Sequence, residues 1–246
     1  TMLSYLERRA IAGVEHVADG TYRRTIRVGD GPGVLELLPG GEDQLLLRVH
    51  LPYWEGLIHI VSQARHIFNL GTDPTGPQQL YDDELIGPLA AALPGLRPVG
   101  TWDPFEVGVR AIVGQQVSVA AANTVTGRIA QRHGEPVPGL GPMGLTHLFP
   151  SPATLAEADL DGIGLPGARV SAIRGFAAAV AGETLPLDRS VGVDALEAAL
   201  VALPGIGPWT AQYVALRLGE ADAFPATDLG LRQAMARLAG WAEAPR

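Results

Sequence analysis

Residues 194–238 read DALEAALVALPGIGPWTAQYVALRLGEADAFPATDLGLRQAMARL, and their apolar spacing predicts three consecutive helices. Asp194 is expected to cap the first helix, because its carboxylate can accept hydrogen bonds from free N–H groups at a helix start. The four residues PGIG (204–207) predict a tight reversal after that helix. Glycine supplies the positive φ that the reversal needs, and Ile206 can pack between the two helices.

The second helix is expected to begin at Pro208, because proline at the first helical position sacrifices no hydrogen bond. Backbone N–H groups at such a helix start can hold a phosphate. The candidate donors are the N–H groups of Gly205, Gly207, Trp209 and Thr210. By spacing alone, a plain helical corner is the alternative to a phosphate site.

Asp228 follows FPAT (224–227) and opens the third helix, whose apolar face is expected to include Leu231, Met235 and Leu238. In an arbitrary sequence, such an aspartate is a helix cap or a partner of the helix dipole. A catalytic role needs more than this position.

Residues 203–218 (LPGIGPWTAQYVALRL), followed by 224–233 (FPATDLGLRQ), resemble the helix-hairpin-helix and aspartate motif of base-excision DNA glycosylases. The resemblance is to the bacterial 3-methyladenine DNA glycosylase II branch in particular. It continues through 103–122 (DPFEVGVRAIVGQQVSVAAA) and, more weakly, to the N-terminus. It implies an α+β chain in which a small TBP-like domain of antiparallel sheet and helix precedes an all-α helix-hairpin-helix glycosylase domain, with the division at 1–80 and 81–246.

Three short strand-like runs also predict an antiparallel meander near the N-terminus: 21–28, 33–38 and 44–51. Residues 54–70 follow as an amphipathic helix, with Leu57, Val61, Ala64 and Phe68 on one stripe. Residues 71–79, rich in glycine and proline, predict the linker. Residues 1–20 predict no definite element. The resemblance implies no catalytic group in this first domain.

Beyond residue 84 the sequence predicts helices only. DPFE (103–106) gives a cap, a proline and a glutamate at the start of a helix that runs to Val113. The turn GQQVS (114–118) ends it, and Ser118 is expected to cap the next helix.

The resemblance gives Asp228 the catalytic role. Departure of a base from DNA develops positive charge on the deoxyribose, and a fixed carboxylate can stabilise this oxocarbenium-like state and orient water. All 18 Lys+Arg residues are arginine, and Trp209 stands where bifunctional relatives carry their Schiff-base lysine. The chain is therefore expected to be monofunctional and to leave an abasic site.

Trp209 and Tyr213 lie four residues apart and share a helix face. Core packing is the alternative, but the resemblance assigns them to the base pocket, where aromatic faces attract a cationic base by about 0.5–2 kcal/mol. Leu229 replaces a pocket tyrosine of the family, so stacking on that side is expected to be lost.

Two further roles follow from the resemblance. Gln116 stands at the position of the wedge that fills the gap left by a flipped base, although an ordinary surface role is the alternative. Main-chain carbonyls of Val201, Leu203 and Ile206 match a monovalent cation site. The implied ion is Na⁺ or K⁺, and no cofactor is required.

Composition limits the function classes. The absence of cysteine excludes disulfides, thiolate zinc sites and the four-cysteine iron–sulfur cluster. A net charge of −8 argues against a broad basic surface, but backbone N–H groups can hold phosphates without one. No run approaches the roughly 18 apolar residues of a membrane span, and no signal segment opens the sequence, so an intracellular, cytoplasmic protein is expected.

The expected partner is duplex DNA containing alkylated bases, bound by a monomer without a nucleotide cofactor or a membrane. Two alternatives remain open: a non-enzymatic helix-hairpin-helix DNA-binding module, and a glycosylase for deaminated or mismatched bases.

Overall fold

The computed structural model describes residues 2–42, 44–73 and 78–241, which form an antiparallel sheet followed by a helical domain. The strands are β1 Glu15–Ala18, β2 Thr21–Val28, β3 Gly31–Gly41 and β4 Gln44–His50. The helices are α1 Met2–Glu7, α2 Leu57–Ile67, α3 Gln78–Asp82, α4 Gly87–Ala92, α5 Pro104–Val113, α6 Val119–His133, α7 Pro152–Ala156, α8 Gly167–Ala181, α9 Val193–Val201, α10 Pro208–Leu218 and α11 Leu229–Leu238. Short 3-10 turns occur at Gly141–Met143 and Arg189–Val191. The α+β class and the order of the two parts are confirmed.

The sheet is a meander in the order β1-β2-β3-β4, with every neighbouring pair antiparallel. The three predicted strands are confirmed, and the sequence missed only β1, which has four residues. One face of the sheet packs on α2. The stripe predicted for that helix is partly confirmed: Ala64 and Phe68 are buried, whereas Leu57 and Val61 are only half-buried. Ile60 and Ile67, which were not part of the predicted stripe, are buried as well.

The predicted linker 71–79 is only partly described, because residues 74–77 lie outside the described ranges. The domain division after residue 80 stays a prediction. Within the part of the chain that the structure describes, no helix combines the length and the apolar character needed to cross a membrane.

The core of the helical domain forms around α5, which crosses α8 at close range. A Cβ atom on Gly108 would lie 2.3 Å from the ring of Phe176, so the absence of a side chain there lets the ring pack against α5. Phe105 stacks on Phe176 with ring centroids 5.5 Å apart. Burial of large apolar side chains of this kind stabilises the fold by about 1.5–3 kcal/mol each.

Helix starts agree with the sequence at α5 and α6. The side chains of Asp103 and Ser118 accept hydrogen bonds from the N–H groups of Phe105 and Ala121. The predicted cap at Asp194 was wrong. Helix α9 begins two residues earlier, at Val193, because Gly192, with φ 75°, makes the turn into it, and Asp194 therefore lies in the first helical turn.

The predicted apolar face of α11 is largely uncovered. Leu231 and Leu238 are 39% and 42% exposed, and Ala236 is the buried residue of this helix. The periodicity correctly predicted the helix, but the face that it predicted to be buried packs against little of the described chain.

Candidate active site

The hairpin joins α9 to α10 through a turn that depends on one glycine. Gly205 has φ 84°, and a Cβ atom there would lie 2.7 Å from the Cβ atom of Ala172 in α8. Ile206 packs between the helices with 5% exposure. Gly205 alone of the two hairpin glycines has a positive φ, whereas Gly207 has φ −101° and caps α10 in an extended conformation.

Several N–H groups of the hairpin form no hydrogen bond to a residue that the structure describes. The N–H of Ile206 donates to the carbonyl of Leu203, and the N–H of Ala211 donates to the carbonyl of Gly207. Within the described ranges, no hydrogen bond is formed by the N–H groups of Gly205, Gly207, Trp209 and Thr210. Apart from its two chain neighbours, no described residue has an atom within 4 Å of the position that a Cβ atom on Gly207 would occupy, so an anion could approach these donors.

Asp228 is the N-cap of α11 and lies close to the start of α10. Its Oδ1 accepts a hydrogen bond from the N–H of Leu231 at 2.8 Å. Its Oδ2 accepts one from Nε1 of Trp209, also at 2.8 Å. The residue is half-buried and lines a cleft, so the carboxylate is held in a fixed position while it stays accessible.

The cleft has a volume of about 280 Å³ and is bounded by α5, α6, the start of α10 and Arg9. Trp209 and Tyr213 form one wall. Their rings stack with centroids 5.4 Å apart and planes inclined by 14°. The structure therefore brings Trp209, Tyr213 and Asp228 together in a single concave site.

Two arginine side chains at the back of this cleft were not predicted from the sequence. Arg9 and Arg110 line it together with Tyr213, and the guanidinium of Arg9 lies 3.9 Å from the ring centroid of Tyr5. Burial raises the pKa of Tyr213, but the nearby guanidinium groups of Arg217 and Arg110 outweigh burial, and the pKa of Tyr213 is lowered overall. The one sequence signal was the spacing of Arg110 four residues after Glu106 on α5.

The turn between α5 and α6 lies beside the cleft and is tied to the hairpin. The side chain of Gln115 donates to the carbonyl of Gly205 and to Oγ1 of Thr210, both at 3.0 Å. Gln116 is exposed and has φ 57°, a left-handed conformation that is costly for a residue with a side chain. A single side chain therefore links the expected wedge turn to the phosphate-facing turn.

Leu229 is not brought into the cleft. Its side chain is 63% exposed, and it is not among the residues that line the cleft. The carbonyls of Val201 and Ile206 accept no backbone hydrogen bond from another described residue, and that of Leu203 accepts one from Ile206 at 3.2 Å. These oxygens keep free lone pairs, as cation ligands must.

Comparison with known proteins gives matches along the whole chain. The family model of the AlkA N-terminal domain matches residues 1–103. The model described as HhH-GPD superfamily base excision DNA repair protein matches residues 109–246.

Two curated relatives are 38% identical to this chain. The "Probable bifunctional transcriptional activator/DNA repair enzyme AlkA" of Mycobacterium tuberculosis (strain ATCC 25618 / H37Rv) matches 96% of this chain, which spans only 48% of that relative. The "DNA-3-methyladenine glycosylase 2" of Escherichia coli (strain K12) matches 94% of this chain and 81% of its own length.

A solved structure described as "3-methyladenine dna-glycosylase from Archaeoglobus fulgidus" has the same fold. It superposes with a TM-score of 0.84 at 24% identity, covering 100% of this chain and 84% of its own. The family-model match over residues 109–246 and the 38% identity to the E. coli relative agree on one assignment. The chain belongs to the HhH-GPD superfamily of base excision DNA repair proteins.

Proposed function

We propose that the protein is a DNA glycosylase that flips an alkylated base, of the 3-methyladenine type, out of duplex DNA and hydrolyses its N-glycosidic bond. The observation that carries this proposal is the position of Asp228, fixed by two hydrogen bonds at the edge of an aromatic cleft. The name of the E. coli relative, DNA-3-methyladenine glycosylase 2, supports the choice of lesion.

DNA binding begins at the hairpin. The free N–H groups of Gly205, Gly207, Trp209 and Thr210 hold backbone phosphate at the start of α10, which the helix dipole favours. Phosphate binding by backbone N–H groups needs no basic surface and is compatible with a net charge of −8. The exposed Gln116 enters the duplex and fills the gap when the target nucleotide rotates outward, which offsets part of the few kcal/mol that unstacking costs.

Chemistry takes place at the sugar. The flipped base stacks on Trp209 and Tyr213, and its deoxyribose lies against Asp228. The carboxylate stabilises positive charge on the sugar as the base leaves, and it orients the water that completes hydrolysis. An alkylated base carrying positive charge is already a good leaving group, so the site needs little general-acid help.

The product is an abasic site in an intact strand. A Schiff-base route needs a side-chain amine, and the sequence contains no lysine. Borohydride should therefore trap no covalent adduct between DNA and a side chain of this protein. A trapped adduct at an internal residue would contradict this part of the proposal.

The proposal includes a monovalent cation, Na⁺ or K⁺, held by the carbonyls of Val201, Leu203 and Ile206. It would lie at the end of α9, where it would add positive charge beside the phosphate. All groups of the proposed site come from one chain, so the protein is proposed to act as a monomer.

The test is release of identified bases from duplex DNA. Wild type and Asp228→Asn are incubated with methylated duplexes and, separately, with duplexes that contain hypoxanthine or a mismatched thymine, and free bases are separated by chromatography. Release of 3-methyladenine by wild type alone supports the proposal. Release of hypoxanthine or thymine without 3-methyladenine would instead favour a glycosylase for deaminated or mismatched bases. Tight binding without any release would favour a DNA-binding module.

A further inference from the structure

A row of buried charged groups connects the N-terminal sheet to the cleft. Arg24 of β2 forms an ion pair with Glu106 of α5, with Nη2 and Oε2 2.6 Å apart. Glu15 of β1 lies beside them, 3.7 Å from Nη1 of Arg24. The three side chains are 2–4% exposed, so water screens their charges little.

Arg110 ends this row on the cleft side. Its Nη1 lies 3.0 Å from Oε2 of Glu15 and 3.5 Å from Oε1 of Glu106. Its side chain is 22% exposed, and it lines the same cleft as Trp209 and Asp228. The positive charge of Arg110, from the helical domain, thus lies at the back of the cleft. The carboxylate of Glu15, from the sheet domain, neutralises this charge.

We propose that Glu15 determines which bases the cleft accepts, because it neutralises the positive charge that Arg110 presents there. This inference rests on the proposed function. Without Glu15, the guanidinium of Arg110 would repel a base that carries positive charge and would affect a neutral base far less. The N-terminal domain would then contribute a specificity-determining residue that acts through Arg110.

Glu15 is held firmly in its charged form. The hydroxyl of Tyr22 donates to its Oε1 at 2.6 Å, and the N–H of Ile11 donates to its Oε2 at 3.0 Å. Burial opposes ionisation, but Arg110 and Arg24 outweigh it and lower the pKa of Glu15. The two hydrogen bonds that Glu15 accepts also hold its carboxylate in position beside Arg110.

The effect of losing Glu15 depends on the other charged groups that line the cleft. Arg9 lines the cleft and forms no ion pair with a described residue, and Asp228 lies on the same cleft. Arg9 and Asp228 thus bring one positive and one negative charge to the cleft, and Glu15 offsets the charge of Arg110. Loss of Glu15 leaves the cleft with an excess positive charge, which works against a cationic base.

If the ion pair of Glu15 and Arg110 only held the two domains together, a different result would be expected. Weakening the contact between the two domains would reduce release of all bases by a similar factor. A change in the charge of the cleft would alter the ratio between cationic and neutral bases. This ratio is therefore the measurement that distinguishes the two roles.

The experiment compares kcat/KM for release of cationic 7-methylguanine and neutral hypoxanthine from otherwise identical duplexes. Glu15→Gln, which keeps the shape and removes the charge, should lower the ratio of 7-methylguanine to hypoxanthine about tenfold relative to wild type. The double variant Glu15→Gln/Arg110→Gln should restore the ratio. Glu36→Gln is the matched control, since Glu36 is also a buried carboxylate but pairs with Arg23 on the sheet, away from the cleft.

An unchanged ratio in folded Glu15→Gln would overturn the inference while leaving the proposed function intact. If that variant does not fold, Arg110→Gln provides the test. It leaves Glu15 as an excess negative charge and should shift the ratio toward 7-methylguanine, whereas an unchanged ratio overturns the inference. Failure of wild type to release any base overturns the proposed function and this inference together.

Discussion

The indole N–H of Trp209 donates a 2.8 Å hydrogen bond to Oδ2 of Asp228, which joins the aromatic wall of the cleft to its carboxylate. The other carboxylate oxygen is held by the start of α11. Trp209 thus has two roles that can be separated: its ring stacks on Tyr213, and its N–H fixes Asp228.

Trp209→Phe should separate these roles, because it keeps an aromatic face and loses the N–H donor. A hydrogen bond to a charged group is worth about 1.5–3 kcal/mol, so base release should fall about tenfold or more. Single-turnover release from methylated duplex measures this. Trp54→Phe, at an exposed position, is the control and should retain the wild-type rate. An undiminished rate in Trp209→Phe would show that the bond does not position Asp228 for catalysis.

The two hairpin glycines should respond differently to alanine. Gly205→Ala introduces a Cβ atom at φ 84° and 2.7 Å from Ala172, so it should lower the free energy of unfolding by about 1–3 kcal/mol. Gly207→Ala meets no steric obstacle and should change stability by less than about 0.5 kcal/mol. Its methyl group should weaken DNA binding, because it occupies the approach to the free N–H groups.

Urea unfolding and binding to duplex DNA containing an abasic-site analogue measure the two effects. Wild-type DNA affinity in folded Gly207→Ala would contradict the phosphate-binding role of the hairpin. Wild-type stability in Gly205→Ala would contradict the packing of the turn against α8.

Gln116→Gly should reduce activity without harming the fold. Glycine adopts φ 57° without strain, so the free energy of unfolding should stay the same or rise by up to about 1 kcal/mol. Loss of the side chain leaves the gap in the duplex unfilled. Base release should therefore fall more on double-stranded than on single-stranded methylated DNA, and an equal fall on both would contradict a wedge role.

The ion pair of Glu15 should make stability depend on pH. Because Arg110 and Arg24 lower the pKa of Glu15 despite its burial, ionised Glu15 stabilises the folded state above its unfolded-state pKa of about 4.3. This contribution is lost as the pH falls through the folded-state pKa. Wild type should be about 3–5 kcal/mol more stable than Glu15→Gln at pH 7.

Urea unfolding of both proteins from pH 7 downward checks this. The difference between them should shrink below about pH 4, because protonated Glu15 resembles glutamine. A difference that stays constant with pH would show that packing, and not charge, accounts for the effect of the substitution.

The hairpin and its flanking helices could be predicted from sequence because their signals are local. Proline and glycine in PGIG mark the turn, and the N-caps Asp103 and Ser118 lie directly beside the N–H groups that they accept. The error at Asp194 has a local cause too. Gly192 can make the turn at positive φ, so α9 begins before the aspartate.

The back of the cleft could not be predicted in the same way. Glu15 and Arg110 are separated by 95 residues, and their contact exists only because the fold brings β1 close to α5. The periodicity of α11 was similarly uninformative about burial, since an apolar stripe does not specify whether another element covers it.

The proposed function depends most on the carboxylate of Asp228, which carries out the chemistry of base release. Single-turnover release of 3-methyladenine is measured for wild type and Asp228→Asn, alongside their affinities for duplex DNA containing an abasic-site analogue. The two proteins should have similar affinities, and the rate should be at least about 10²- to 10³-fold lower in Asp228→Asn. Retention of most of the wild-type rate by folded Asp228→Asn would contradict this role.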